Sequence, residues 1–372
     1  MKHSTFFKSI PVVFALGALL SPWATSDAAT PPGAAVHYKT LAKKSAHLRV
    51  HIIDIGAGDA ILIETPNPEE KHIFIDGGKT GVNSLKSYVK HFVGTNRIDL
   101  ALVTHPDFDH INGMKAVFEN YDVQEYWDTG YESSKLSDTW RTLQTLVGDE
   151  ATCSAYSPIS GYYEPGEKVV VDENEPGDET DDVILQFINV DGSPPFKDPK
   201  TKRKFSESER RNNASLVVKL TYKNVSFLLT GDINGRSKHH IGEMFDDECD
   251  SVEQFLVNLH KKPNTATTGF LEATVLKAPH HGSNGSSSLE FIKQVKPQWA
   301  VFSAGHEYDH PHPDALRRYR KAGVLDTQML RTDDGDSTPE DNSTRDAVGD
   351  DTFIFETDGN SITSIRRAKM SF

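Results

Sequence analysis

The feature that most constrains this chain is a repeated ending. Four apolar, strand-like runs each stop at a short segment rich in His and Asp. "IDLALVT" leads into His105, Asp107, Asp109 and His110, and "FLLTG" into Asp232. "ATVLKAP" leads into His280 and His281, and "WAVFSAG" into His306, His310 and His312. Continuous apolar runs suit strands buried on both faces. Open sheets built from such strands gather ligand sites at the strands' carboxyl ends. A lone Asp after a strand reads equally well as a helix cap. Four such endings together predict one convergent metal site, because imidazole and carboxylate are ligands for zinc, manganese and iron.

Between these runs, "SLKSYVKHFV" and "GMKAVFENY" carry helical spacing, and "DTFIFETDGNSITSI" reads as a terminal hairpin. The chain has 372 residues, 37% of them hydrophobic, enough for a real core and far from a disordered composition. Residues 1–28 join Lys2 and Lys8 to an apolar run, Ile10 to Leu20, and end at Ser26-Asp27-Ala28. That order predicts a cleaved signal peptide and export to the periplasm or beyond the cell. The run is short for a membrane span, so no transmembrane segment is expected in the mature chain. Residues 29–46 read as a leader and 47–372 as one domain.

The net charge is −14, and removal of residues 1–28, which carry Lys2, Lys8 and Asp27, makes it one unit more negative. Such a surface repels nucleic acid and anionic membranes at long range. Basic clusters at 197–204, 210–211 and 317–321 form either a local phosphate track or ordinary solvated surface. Cys153 and Cys249 are candidates for a disulfide in an exported chain, the alternative being two separate buried thiols.

"THPDFDHING" resembles the HxHxDH signature of the metallo-β-lactamase superfamily, and "FLLTGD" resembles its bridging-aspartate motif. "DIGAGDAILIE", "FIDGG", "LVTHPDFDHINGM", "NNASLVVKL", "FLLTGDI", "LKAPHHGS" and "HPHP" follow the order found in the hydrolase domain of ComEC-type competence proteins. The resemblance covers roughly residues 48 to 366. It implies an α/β fold, the four-layer αβ/βα sandwich with two mixed β-sheets. It also implies one or two divalent ions, Zn²⁺ or Mn²⁺, at one sheet edge and hydrolysis by a metal-bound hydroxide.

The ligands carried over are His105, Asp107, Asp109, His110, Asp232, His281 and His312, with His280 competing for one place. Asp109 and Asp232 are the catalytic candidates, orienting water and accepting its proton. Asn213, Ser283 and His280 are candidates for holding substrate, and Asp59 for backing a ligand histidine. Two departures stand out. Asp107 occupies the place of the usual second His, which hardens the site toward manganese or magnesium. Asn212 and Asn213 stand where many relatives have a ligand His. The resemblance points to phosphodiesters, nucleic acid included although the charge opposes it. Other ester classes (lactone, thioester, β-lactam) and a weakly catalytic, metal-stabilised binding module are the alternatives. Fold alone does not choose among them, and the sequence indicates no oligomeric state.

Overall fold

A computed structural model describes residues 29–66, 70–94, 97–133, 135–149, 151–173, 180–198, 202–235, 249–305, 308–333, 349 and 351–370. The segment on which the signal-peptide reading rests, and His306, lie outside them. Two sheets dominate. One contains β1 (Val36–His37), β2 (Leu48–Ile52), β3 (Ala60–Glu64), β4 (His72–Gly77), β5 (Arg97–Leu102), β6 (Asp122–Asp128) and β7 (Tyr156–Pro158). The other contains β8 (Lys168–Asp172), β9 (Val183–Asn189), β10 (Val217–Tyr222), β11 (Val225–Leu229), β12 (Val275–Lys277), β13 (Trp299–Phe302) and β14 (Met329–Arg331). The C-terminal hairpin, β15 (Thr352–Thr357) and β16 (Ile362–Lys369), joins the first sheet.

The strand orders are β1-β16-β15-β2-β3-β4-β5-β6-β7 and β14-β13-β12-β11-β10-β9-β8. Both sheets are mixed: β2, β3 and β4 run antiparallel while β4, β5 and β6 run parallel. In the second sheet β9, β10 and β11 are antiparallel, and β11 to β14 are parallel.

Alternation explains the layering. Leu48, Val50 and Ile52 of β2, Ile73 and Ile75 of β4, and Val225, Phe227 and Leu229 of β11 meet between the sheets. Phe74 of β4 points the other way, under α1 (Val82–Val93), α2 (Phe108–Asn120) and α3 (Asp138–Val147). Leu228 of β11 packs under α5 (Ser251–His260), α6 (Leu289–Val295) and α7 (Pro313–Lys321). The result is helices, sheet, sheet, helices: period-2 strands with one apolar face to each neighbouring layer. A short α4 (Glu207–Asn213) joins β9 to β10.

Three details differ from the sequence reading. The leader is part of the fold, since its Val36 and His37 pair with Ala368 and Lys369 as an edge strand. Helix α2 starts at Phe108, ahead of the "GMKAVFENY" stretch, so Asp109 and His110 lie on its first turn. Cys153 and Cys249 are free thiols, one buried under the helices of the first sheet and one under those of the second. The whole sandwich separates them.

Glycines let α2 approach β4. A Cβ at Gly113 would stand 1.9 Å from the Gly77 carbonyl oxygen, and a Cβ at Gly77 2.0 Å from the Met114 nitrogen. Backbone meets backbone there, with no flexible side chain to yield. Gly113→Ala is therefore expected to cost about 2–3 kcal/mol, the upper part of the overpacking range, read as a lowered urea midpoint.

Candidate metal centre

The parallel strands end along one edge of the sandwich, and the segments that follow them carry the polar residues. His105 follows β5 and is fully buried. Its Nδ1 lies 3.1 Å from the Thr104 hydroxyl and 3.3 Å from that of Ser215. His110, on the first turn of α2, directs Nδ1 at Asp76 Oδ2, 2.8 Å away. Asp76 also accepts from the Thr104 N–H and hydroxyl at 2.8 and 2.6 Å. His281, after β12, directs Nδ1 at Asp59 Oδ1, 3.3 Å away. The other Asp59 oxygen is 2.5 Å from the Lys277 ammonium. His105 and His110 thus have Nδ1 hydrogen-bonded from outside, which fixes the tautomer and turns Nε2 inward, while His281 Nδ1 faces Asp59 as an ion-pair partner.

The inward nitrogens converge on Asp232, just beyond β11. Its backbone N–H donates to the Ser215 hydroxyl at 2.9 Å, which fixes the residue against the start of β10. His110 Nε2 is 3.4 Å from Asp232 Oδ1. His281, His280 and His105 place Nε2 at 3.3, 3.7 and 3.9 Å from Oδ2. Donors bound to one ion at about 2.0–2.1 Å with tetrahedral angles stand about 3.4 Å apart. The Nε2 atoms of His105, His110 and His281 and Oδ1 of Asp232 are buried without a hydrogen-bond partner among the described residues. Buried polar atoms are normally paired, so this donor set fits a divalent ion. Asp109, half-buried, brings a carboxylate oxygen into the same group as His110 and His281.

The electrostatics agree. Burial opposes the Asp232 carboxylate, but His281, His110 and His280 hold it well below the usual range. Burial likewise opposes charging His281, yet Asp232 and Asp59 push it up to about 9, and His110 is also raised by Asp232 and Asp76. His105 goes the other way: burial and the neighbouring His110 depress it.

A backbone peculiarity places the two adjacent histidines. His280 and His281 both have left-handed φ, 47° and 55°, so successive rings reach the same carboxylate. The loop is clamped from both sides. Glu253 of α5 accepts from the Ser287 and Ser288 N–H groups at 2.6 and 2.7 Å. Buried Arg318 of α7 donates to the carbonyls of Ser287 and Ser286, both at 2.8 Å.

Other sequence candidates lie elsewhere. His312 is not in the group: its Nδ1 accepts the Asp314 N–H at 3.1 Å and caps α7. His310, two residues earlier, stacks on His281 with ring centres 6.4 Å apart, and burial with His281 and His280 lowers it to about 3. Ser283 is buried, its hydroxyl 3.4 Å from that of Ser286. Asn213 Oδ1 accepts from Asn234 and Ser251 at 2.9 and 3.3 Å, a bracing role for the wall of the site. Asp107 faces Arg211 and stands 3.8 Å from His105 Nε2. The sequence reading missed Asp76, Ser215 and Lys277 as parts of the centre, and held Arg211 only within the basic cluster 210–211. Asp76, Ser215 and Lys277 lay inside quoted motifs, without a spacing rule to single them out.

Residues 53–195 match the family model described as metallo-beta-lactamase superfamily. That stretch is under half of the chain, and over it the sequence is similar to the metallo-β-lactamase superfamily. It is 26% identical over 302 residues to ComE operon protein 3 of Bacillus subtilis, covering 76% of this chain and 32% of that one. It is 25% identical over 322 residues to competence protein ComA of Neisseria gonorrhoeae, covering 84% and 34%. The chain thus spans about a third of the length of these curated relatives. Among solved structures it is similar to the metallo-beta-lactamase fold protein YhfI of Bacillus subtilis (10% identity, TM-score 0.41, 76% and 95% covered). It is also similar to a metal-dependent hydrolase of the beta-lactamase superfamily (11% identity, TM-score 0.42, 77% and 96% covered).

Helix α4 is the wall facing the loop after β5. Ser206 and Glu209 form a capping box at its start, and Arg203 donates to Glu209 Oε1 at 2.6 Å. Burial opposes the Glu209 carboxylate, but Arg203 and the Ser206 N–H and hydroxyl win, holding it at about 2. The folded value lies below the unfolded one, so the stabilisation is present above pH about 4.5 and fades as pH falls toward 2. Glu209→Gln should cost about 1–2 kcal/mol at pH 7. In urea titrations at successive pH values, that difference should shrink below pH about 4.5.

Proposed function

We propose that this chain is an exported, metal-dependent hydrolase acting on phosphodiesters. The single observation that carries the hydrolase reading is the group around Asp232, whose buried donors stand at ion-sharing distances without partners of their own. The half-buried Asp109 and His280 leave that group accessible on one side. Structural metal sites are closed, whereas catalytic ones keep an open position. His105, His110, Asp232 and His281 would hold an ion, and Asp109 and His280 extend the donor set toward a second.

When bound, a divalent ion supplies Lewis acidity and lowers the pKa of coordinated water toward about 7. The protein's own groups supply the rest. Asp109 sits on the first turn of α2, where the helix dipole favours a carboxylate, and is the acceptor for the water's proton. Asp76 and Asp59 keep His110 and His281 oriented, and Lys277 balances Asp59 inside the core. The mixture of carboxylates with imidazoles favours Mn²⁺ as well as Zn²⁺, and hard phosphoryl oxygens as ligands.

The basic clusters bear on the length of the substrate. Arg203 pairs with Glu209, Arg210 with Glu207, Arg317 with Asp314 and Arg320 with Asp326, while Arg318 is buried. Ion-paired arginines make a poor continuous phosphate track, which favours a short phosphodiester over long nucleic acid. A neutral ester is the second reading, supported by a largely apolar recess of about 500 Å³ that includes Val190, Phe205, Val252 and Phe255 and borders Asn213. Export rests on residues 1–28. No helix among the described residues is long and apolar enough to cross a membrane.

The test pairs metal content, measured by plasma mass spectrometry on protein purified without chelators, with turnover of bis-p-nitrophenyl phosphate and p-nitrophenyl acetate. One or two ions per chain with faster phosphodiester turnover is the expected result. Ester turnover alone would favour the neutral-ester reading. Bound metal without turnover of either would overturn hydrolysis and favour a binding module. The double variant Asp109→Ala/His110→Ala should lose at least a hundredfold in turnover, an amount typical of losing an acid–base group, while keeping its sheet signature in circular dichroism.

A further inference from the structure

The second position of the HxHxDH-like signature is Asp107, and both of its oxygens are taken up by α4. Arg211 Nε donates to Oδ1. The Asn212 amide, with its nitrogen toward the carboxylate, donates to Oδ2 at 3.2 Å and to the Ser208 carbonyl at 3.0 Å. The pair is partly shielded, with 18% of the Asp107 side chain and 22% of the Arg211 side chain exposed. Asp107 is also absent from each group of described residues whose donor atoms approach one another closely enough to share an ion.

Arg211 gives only Nε to this pair. Its Nη1 and Nη2 make no hydrogen bond among the described residues. They carry four N–H donors on a rigid planar fork, one carboxylate away from the convergent centre, since Asp107 Oδ2 lies 3.8 Å from His105 Nε2. A guanidinium anchored through Nε keeps its other edge set for bidentate binding of an oxyanion. Lys277, the other cation of the centre, is buried against Asp59 and the Gly231 carbonyl, so it is spent internally. Among the described residues, Arg211 is then the cation beside the centre that is partly exposed.

We infer that Asp107 is a positioning residue for Arg211 rather than a metal ligand, and that Arg211 binds a non-bridging oxygen pair of an anionic phosphoester at the mouth of the site. The inference deepens the phosphodiesterase reading and rests on it for the identity of the anion. It also accounts for two departures with one cause. A carboxylate replaces the imidazole at 107, and the ligand His is missing from the α4 segment, because here that segment carries the anion-binding fork.

The experiment uses the full chain and Asp107→Asn, Arg211→Ala and Arg211→Lys. Metal content per chain is measured first. All three variants should retain the parent count, because none removes an ion's donor. Loss of an ion in Asp107→Asn would show that Asp107 is a ligand and overturn its assignment as a positioning residue. Inorganic phosphate binding to the metal-loaded protein is measured next by calorimetry, which needs no turnover. Arg211→Ala and Arg211→Lys should weaken it about tenfold, since lysine keeps the charge but loses the fork. Asp107→Asn should weaken it by a smaller factor. Unchanged phosphate affinity in both Arg211 variants would overturn the fork. With bis-p-nitrophenyl phosphate the variants should raise KM about tenfold and alter kcat less. If the parent binds phosphate through Arg211 yet turns over no phosphodiester, the fork stands and the phosphodiesterase reading falls.

Discussion

Asp232 holds this centre together through two oxygen atoms. Four imidazole nitrogens, delivered by the segments after β5 and β12, come within 3.9 Å of them. A buried carboxylate is costly unless charges or donors meet it, and buried imidazoles charge only beside an anion. Here each supplies what the other needs: the histidines depress Asp232, and Asp232 raises His110 and His281. The positions then follow from the sheet. Strand β11 sets Asp232, the Ser215 hydroxyl fixes its backbone, and parallel β12 beside it and β5 of the other sheet lead into the loops that reach the same point.

Convergence of that kind is strained, and the surrounding packing bears the strain. His280, His281 and Asp76 all have left-handed backbone, which costs a non-glycine residue about 1–2 kcal/mol each. Such conformations persist where neighbours over-determine them. Glu253 and Arg318 do this for the histidine loop by satisfying two N–H groups and two carbonyls in the interior. Asp76 is held by the Thr104 N–H and hydroxyl and by His110. The helices of the second sheet therefore serve the site directly, although none of their side chains faces Asp232 among the contacts described.

Much of this was legible in the chain. Many of the strands were readable because alternating and continuous apolar runs report burial face by face, and their division into two sheets came from the family resemblance. Asp109, His110, Asp232 and the His280–His281 pair were readable because they directly follow such runs. His312 was misplaced for a physical reason. It and His310 lie two residues apart beside prolines, and only the backbone path decides which ring turns to the centre and which caps α7. Asp76 and Lys277 read as ordinary turn and strand residues, since their roles depend on partners 34 and 218 positions away in sequence. The cysteine pairing failed likewise, because spacing along the chain carries no information about which outer layer a segment joins.

The sequence by itself determined the apolar strands, the strand ends at which polar residues collect and the chemical types gathered there. Those follow from hydrophobic period and from residue identity next to strand ends, both local properties. Tertiary structure decided which nitrogen of each ring faces inward, which acid backs which histidine, and that Asp107 is paired with an arginine on α4. These depend on distances between segments far apart in the chain, and a few ångströms separate a metal ligand from a salt-bridge partner.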